Sequence, residues 1–298
     1  MRKNWLDYKQ RRDAQTAFRY LHERREEFLA KYPQMCCLSF DHISIVLNVL
    51  GRMDEGQLTW FKRCFGPFLE GKVVCDVGAN LGNHSLFFAE ISEHVHSFEP
   101  NKIIYELLAI NARAASNISV NNVGISDEVR TFRAAMKRSA YGSARITDSP
   151  SQDEIPFSFE ARPLDSFKSV QASDVGLIKI DVEGHEAKAI KGAEETISRT
   201  MPLVLFEQNS DAIKQETSPS LELLRTFGYE KFVEPVVAPT GRLSDRLSGR
   251  IGRLSRGFEA LMQGPIEKVW ESREISTLAN RHYPWIVAVP PSFDMSQL

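Results

Sequence analysis

The chain is poor in cysteine, in net charge and in long apolar runs. Its 298 residues include four cysteines, whose spacing fits neither a zinc site nor a disulfide framework. We therefore expect a reducing, cytoplasmic compartment. No apolar stretch approaches the ~20 residues that span a bilayer, and the first residues predict no secretory signal peptide. The formal net charge of −2 gives no overall sign of a nucleic-acid partner.

Composition and periodicity indicate a globular α/β protein. Hydrophobic residues make up 42% and charged residues 26% of the chain, so a core can form without disulfides or structural metal. Helical spacing is predicted over residues 4–31 and 55–70. From residue 72 onward, short apolar runs alternate with helical patterns, which is typical of a parallel sheet covered on both faces. We expect an N-terminal helical segment over 1–70 and one α/β domain over 71–298.

The middle of the chain interrupts this alternation. Residues 129–135 and 155–162 are predicted to be short extended pieces, and a Ser/Gly/Asp-rich loop is predicted over 139–153 between them. The last two predicted strands cover 230–237 and 285–289.

The most informative segment is the turn after the first predicted strand. Gly78 and Gly82 follow that strand, and a helix is predicted to begin near Asn83. Glycines let the backbone approach a ligand closely. Asn80 breaks the Gly-x-Gly-x-x-Gly pattern of dinucleotide sites. Asp76, just before the turn, suits a cationic ligand such as the amino group of S-adenosylmethionine.

An acidic residue ends the next predicted strand. Glu99 lies about 20 positions after the glycine turn, where a carboxylate can accept hydrogen bonds from both ribose hydroxyls. S-adenosylmethionine is the favoured ligand. A turn that binds nothing and a nicotinamide dinucleotide site stay open as alternatives.

An ordered set of motifs resembles the FkbM-type methyltransferase family. The motifs lie at residues 76–84, 97–101, 122–127 and 178–186, and the likeness extends over about 72–210. The resemblance implies an S-adenosylmethionine-dependent methyltransferase with a Rossmann-like fold. Its sheet would have seven mostly parallel strands, with the last one antiparallel. Members mostly methylate hydroxyl groups of sugars, lipid-linked glycans or polyketide-type natural products.

The resemblance also implies a cofactor site. The methionine moiety would lie among residues of the glycine turn, the ribose on Glu99, and the adenine near the segment after the third strand. Independently of the resemblance, Asp181 is expected to contact the cofactor or the substrate from the end of the fourth predicted strand. The residues implied at the turn are Asp76, Gly78, Asn80, Gly82 and Asn83, and those implied near the adenine are Asn122 and Gly124.

Several polar residues follow the fourth predicted strand. Asp181, Glu183 and His185 lie at the carboxyl edge of the sheet, where ligands of open α/β sheets bind. An alcohol is a weak nucleophile, so a base that removes its proton helps. His185 has a suitable ordinary pKa, and Glu183 or Asp181 could orient it or take the proton. The structural alternative is that Asp181 caps the next helix and His185 is merely polar surface.

The fifth predicted strand also ends in polar residues. We expect Glu207 and Asn209 to face the substrate. Together with Asp181 they could instead offer oxygen ligands to Mg²⁺, although we predict no metal.

Residues 238–284 form an insertion too long for a hairpin loop. Between 242 and 261, apolar residues recur every three or four positions and arginines occupy an adjacent face. This pattern predicts a basic amphipathic helix, which is either a lid packed on the sheet domain or a contact with an anionic membrane surface. Arg273, Arg281 and His282, near the end of the insertion, could meet acidic or sugar groups.

These observations predict an O-methyltransferase. Its acceptor would be a sugar, a glycolipid or a glycosylated or polyketide-type natural product, and no nucleic acid, since no base-flipping motif follows the fourth strand. We expect it in the cytoplasm or peripherally at a membrane surface. The rivals are a non-catalytic cofactor-binding protein of the same fold and an NAD-dependent oxidoreductase. The sequence does not indicate an oligomeric state.

Overall fold

The computed structural model describes residues 2–39, 41–137, 140–238 and 268–298. Nine α-helices and twelve strands are found in these ranges. In chain order they are α1 (Arg2–Lys31), α2 (His42–Leu50), α3 (Glu55–Leu69), β1 (Val73–Val77), α4 (Asn83–Ala89), β2 (His94–Phe98), α5 (Lys102–Asn111), β3 (Ile118–Asn121), β4 (Gly124–Ile125), β5 (Arg130–Lys137), β6 (Ala140–Ile146), β7 (Glu154–Arg162), α6 (Lys168–Gln171), β8 (Val175–Ile180), α7 (Glu186–Lys191), α8 (Glu194–Thr200), β9 (Leu203–Gln208), α9 (Pro219–Thr226), β10 (Lys231–Val237), β11 (Trp270–Glu274) and β12 (Tyr283–Val289).

The main sheet has eight strands in the order β11-β10-β12-β9-β8-β1-β2-β3. Strands β3, β2, β1, β8 and β9 are parallel neighbours. Every residue of β1 and β8 is buried, as expected for strands covered on both faces. Strand β12 runs antiparallel to both β9 and β10. The carboxyl ends of β1, β2, β8 and β9 therefore meet at one edge.

The predicted number of seven strands is wrong by one. β12 is antiparallel as the family resemblance implied, but β11 adds an eighth strand that pairs antiparallel with β10 at the edge of the sheet. Its sequence, Trp-Glu-Ser-Arg-Glu, has no apolar alternation, and its residues are exposed or half-buried. An edge strand held by backbone hydrogen bonds needs no such pattern, so β11 has no hydrophobic period that could be detected in the sequence.

A second sheet of four strands, in the order β4-β7-β5-β6, lies in the interrupted middle of the chain. The predicted loop over 139–153 is wrong for its first half, because β6 occupies Ala140–Ile146 and pairs with β5. β6 is another edge strand built largely from small and polar residues. The extended pieces predicted at 129–135 and 155–162 match β5 and β7.

Helix α3 is part of the core of the main sheet. Its side chains Trp60, Phe61 and Phe65 are fully buried and pack against Phe88 of α4 and Trp285 of β12. The predicted helices 4–31 and 55–70 correspond to α1 and α3, whereas α2 was not predicted. The predicted boundary at residue 70/71 therefore marks a change in sequence pattern. It does not mark the edge of the hydrophobic core, because α3 packs in the core of the main sheet.

The insertion is described only at its ends. The amphipathic helix predicted over 242–261 lies outside the described residues. Within the described ranges, none of the helices is sufficiently long and apolar to cross a membrane.

Candidate active site

A cavity lies between the carboxyl edge of the main sheet and the small sheet. Six of the residues singled out from the sequence line it together. They are Gly78, Glu99, Gly124, Asp181, Glu183 and His185. The opposite wall is apolar and comes from the small sheet, with Phe157 and Phe159 of β7 and Ala144 of β6. The cavity thus has one polar wall and one apolar wall.

The glycine turn brings three strand ends together at this cavity. Gly78 has φ +77°, and a Cβ atom there would lie 1.8 Å from the backbone oxygen of Asp181. Its N–H donates to the carbonyl of Phe98 at 3.0 Å. A side chain at Gly78 would therefore push β1 away from the end of β8, so glycine is required at this position.

Glu99 is a buried carboxylate held by backbone donors. The N–H groups of Asn101 and Asn80 donate to its two oxygens at 2.8 and 3.0 Å. Burial raises the pKa of Glu99 to about 7, although these hydrogen bonds oppose the shift. Each oxygen keeps a second lone pair, so the carboxylate can still accept hydrogen bonds from a ligand.

Asp76 belongs to a buried ionic cluster rather than to the cavity lining. Its side chain is fully buried and accepts a hydrogen bond from Ser85 at 2.6 Å. The Nζ of Lys179 lies 3.1 Å from Asp76 Oδ1 and 3.5 Å from Asp181 Oδ2. Lys179 also donates to the carbonyl of Gly78 at 2.8 Å. Direct contact between Asp76 and a cofactor stays a prediction.

Sequence reasoning missed Lys179. It is buried next to the last residue of β8; burial lowers its pKa, but the carboxylates of Asp76 and Asp181 outweigh this effect, so the pKa is raised overall. A lysine inside an apolar strand is rarely buried without a charged partner, so the run Ile178-Lys179-Ile180 held a usable signal. The residue links the glycine turn to the acidic end of β8.

Three asparagines predicted near the cofactor are engaged with the protein's own backbone. Asn83 exchanges two hydrogen bonds of 3.1 Å with the backbone of Met53. Asn122 donates to the carbonyl of Glu99 at 2.8 Å, and Asn80 donates to the carbonyl of Gly142 at 3.3 Å. The acceptors of Asn80 and Asn122, Gly142 and Glu99, line the cavity, whereas Asn83 and Met53 lie outside it.

Gly82 lies one turn further along the chain. It precedes α4 with φ +89°, and a Cβ atom there would meet Leu108 at 2.8 Å. The positive φ favours glycine at this position, and the Leu108 side chain would have to move to admit a Cβ atom.

His185 is half-buried in the cavity and faces the small sheet. Its Nε2 lies 2.9 Å from Ser126 Oγ, and its ring packs edge-on against Phe132. Burial lowers the pKa of His185, with Lys188 adding to the effect. His185 is therefore not a polar surface residue, which was the alternative considered from the sequence. Asp181 does not cap α7 either, because His185 itself occupies the N-cap position and Asp181 pairs with Lys179.

A second polar group lies where β8 and β9 end. Glu207 Oε1 is 2.5 Å from Nε2 of His282, which immediately precedes β12. Burial raises the pKa of Glu207 to about 7; the charges of Asp181 and Glu183 act in the same direction, and His282 opposes them. Burial and Asp181 likewise raise the pKa of Glu183. The structure therefore brings Asp181, Glu183 and Glu207 together as predicted and adds His282.

Asn209 and the metal alternative receive no further support from geometry. Asn209 follows β9 and is half-buried, and its carbonyl accepts a hydrogen bond from Gln208. In the described part of the chain, no group of three or more His, Cys, Asp or Glu side chains is arranged to hold a metal ion.

The fold and the cavity define an α/β protein whose ligand crevice lies at the carboxyl edge of its parallel strands. The Methyltransferase FkbM domain model matches residues 76–231, just over half of the 298 residues. The chain therefore belongs to the FkbM methyltransferase family. This membership makes it a methyltransferase, and the family generally uses S-adenosylmethionine.

Among solved structures, the chain is similar to the methyltransferase FkbM from Methylobacillus flagellatus KT, at 16% identity and a TM-score of 0.37, over 68% of this chain and 51% of that one. The chain thus spans about half the length of that protein. It is also similar to precorrin-6y C5,15-methyltransferase from Geobacter metallireducens GS-15, at 12% identity and a TM-score of 0.37, over 75% and 84% of the two chains. A third likeness is to precorrin-8w decarboxylase from Methanobacterium thermoautotrophicum, at 12% identity and a TM-score of 0.40, over 78% and 87%. No curated protein matches the chain.

Proposed function

We propose that the protein binds S-adenosylmethionine and methylates a hydroxyl group of a sugar, a glycolipid or a glycosylated or polyketide-type natural product. The observation that carries this proposal is that one cavity joins the glycine turn and Glu99 to the acidic end of β8, close to Glu207 of β9. When bound, S-adenosylmethionine supplies an electrophilic methyl group on a sulfonium.

The residues of the cavity fit this cofactor. Glu99 would accept the ribose hydroxyls, and Gly78 lets the backbone come close to the methionine moiety. The apolar wall, including Phe157 and Phe159, suits the faces of a purine. Asp181, whose charge is only partly offset by Lys179 at 3.5 Å, suits the cationic end of the ligand. Asp76 would support the cofactor site indirectly, because it binds Lys179, which in turn holds the glycine turn.

The acceptor proposal is a small molecule or a glycan rather than a nucleic acid. Three carboxylates, Asp181, Glu183 and Glu207, converge beside the cavity, and they would repel a phosphodiester backbone. The family likeness supports a hydroxyl as the methylated group. A cytoplasmic location, with a peripheral membrane contact through residues 242–261, remains part of the proposal.

Calorimetric titration with S-adenosylhomocysteine tests cofactor binding. Wild type should bind with micromolar affinity, and Glu99→Gln should bind at least about tenfold more weakly because the ribose loses a charged acceptor. Glu93→Gln is the matched control, since Glu93 is exposed just before β2. Failure of wild type to bind S-adenosylhomocysteine, together with binding of NADH, would replace the proposal by the oxidoreductase alternative.

Turnover separates an enzyme from a non-catalytic binder. S-adenosylmethionine is incubated with a panel of hexoses and methyl hexosides, and S-adenosylhomocysteine formation is measured. Formation that depends on one acceptor supports O-methylation. Tight binding without turnover on this panel would favour the non-catalytic alternative for these acceptors.

A further inference from the structure

The pairing of β9 with β12 places a histidine next to a buried carboxylate. Tyr283, the first residue of β12, pairs with Gln208 at the end of β9. The preceding residue, His282, lies next to this pair, and its side chain hydrogen-bonds to that of Glu207 at 2.5 Å. Both lie outside the small sheet and at the edge where the acidic ends of β8 and β9 meet.

The side chains of His282 and Glu207 differ in their exposure to solvent. The His282 side chain is 48% exposed, whereas that of Glu207 is only 19% exposed. The carboxylate is therefore in a position to orient the imidazole, and the imidazole is open to an incoming molecule. Among the described residues, Nδ1 of His282 has no hydrogen-bond partner, so it is free to accept a proton.

Several carboxylates lie close to this pair. Glu207 bonds its Nε2, and the charges of Glu183 and Asp181 act on the same pair. Arg281, the preceding residue, has its guanidinium on Glu234 of β10, and Arg273 of β11 pairs with the same carboxylate. The guanidinium groups of both arginines are thus engaged by Glu234 rather than by Glu207.

His185 has a different environment. One of its ring nitrogens is bonded to Ser126, its ring packs on Phe132, and burial lowers its pKa. Its place is on the side of the cavity next to the apolar wall. This position suits contact with the bound cofactor better than contact with an acceptor that enters from solvent.

We propose that His282, oriented by Glu207, is the general base of the methyl transfer, an assignment that rests on the proposed function above. The acceptor oxygen forms the new O–C bond while the donor's C–S bond breaks with its electron pair on sulfur. The hydroxyl proton passes to Nδ1 of His282 and then to solvent. Glu207 is a positioning residue that stabilises the imidazolium, the arrangement of an oriented base.

NMR titration of the histidine rings tests this assignment. Full-length protein is titrated in complex with S-adenosylmethionine and with S-adenosylhomocysteine, which differ by one methyl group and one positive charge. If His282 faces the reacting methyl group, its titration midpoint should be lower with S-adenosylmethionine by roughly 0.5–1 pH unit, because the sulfonium disfavours a second cation nearby. The midpoint of His22, exposed on α1, is the internal control.

The Glu207→Gln variant provides the second readout. Its His282 midpoint should fall below that of wild type in the same complex, because the stabilising carboxylate is gone. Equal His282 midpoints in the two complexes, with a displaced His185 midpoint, would overturn the assignment in favour of His185. Calorimetry on the same samples distinguishes the failures: loss of binding to both ligands refutes the proposed function, whereas binding with an unresponsive His282 refutes only the base.

Discussion

The buried pair formed by Asp76 and Lys179 makes a quantitative prediction about stability. Lys179→Met keeps the length of the side chain but removes the charge that faces Asp76 at 3.1 Å. Asp76 is then left fully buried, with Ser85 as its remaining side-chain partner. Removal of one partner of a buried ion pair typically costs about 3–5 kcal/mol.

The magnitude can be bounded through proton uptake. A buried, uncompensated carboxylate can be neutralised by binding a proton, and one pH unit corresponds to about 1.4 kcal/mol. From the ordinary aspartate pKa of about 3.9, neutralisation at pH 7 costs about 4 kcal/mol and at pH 5 about 1.5 kcal/mol. The lost hydrogen bond from Lys179 to the Gly78 carbonyl adds about 1 kcal/mol at either pH.

The sign of the pH dependence follows from linkage. In the variant the folded state binds more protons than the unfolded state, so its stability falls as the pH rises. The loss relative to wild type should therefore grow by about 2.5–3 kcal/mol between pH 5 and pH 7. Equilibrium urea unfolding at both values measures it.

A double variant controls for a simple packing defect. Asp76→Asn in the Lys179→Met background removes the orphaned charge and keeps an acceptor for Ser85, so most of the loss should be recovered. Equal losses at the two pH values, or a double variant no more stable than Lys179→Met, would refute the account of the cluster as a compensated pair.

Three further predictions concern the cavity. Ala144→Leu, on the cavity face of β6, should weaken S-adenosylhomocysteine binding at least about tenfold in calorimetry, since the added side chain fills the ligand's space. The melting temperature should not change. Unchanged affinity would place the ligand elsewhere. Gly78→Ala should lower the unfolding free energy by more than about 3 kcal/mol because its Cβ meets the Asp181 carbonyl, whereas Gly71→Ala, also at positive φ but in open space, should lose only about 1 kcal/mol. Burial raises the pKa of Glu99 to about 7. If the ionised carboxylate holds the ribose, the affinity for S-adenosylhomocysteine should therefore fall as the pH drops from 8 to 6. Glu99→Gln should abolish this pH dependence, and an unchanged pH dependence in that variant would exclude Glu99 as its source.

The sequence was sufficient for the parts of the fold that carry a strong pattern. Strands β1 and β8 are apolar runs, and the glycine turn and Glu99 follow strand ends, so their meeting at one edge could be predicted. Strands β6 and β11 could not, because edge strands with one pairing neighbour are held by backbone hydrogen bonds and leave no apolar period.

The cavity's second wall was missed for the same reason. Prediction of β6 as loop left Gly142 and Ala144 out of the site, although Gly142 accepts a hydrogen bond from Asn80 and Ala144 lines the cavity. The family resemblance implied that Asn80, Asn83 and Asn122 lie at the cofactor. In the structure their amides satisfy backbone groups of neighbouring segments, a use that the local sequence does not distinguish from ligand binding.

The Glu207–His282 pair shows how a small boundary error hides a site. The two residues are 75 positions apart, and no local motif connects them. The last strand was predicted to begin at residue 285, but β12 begins at Tyr283. A strand that starts at Tyr283 and pairs with Gln208 brings His282 to the end of β9, where Glu207 lies. Because β12 follows an insertion outside the family match of 76–231, the proposed base would be a feature of this chain's own C-terminal part, coupled to the shared fold through Glu207.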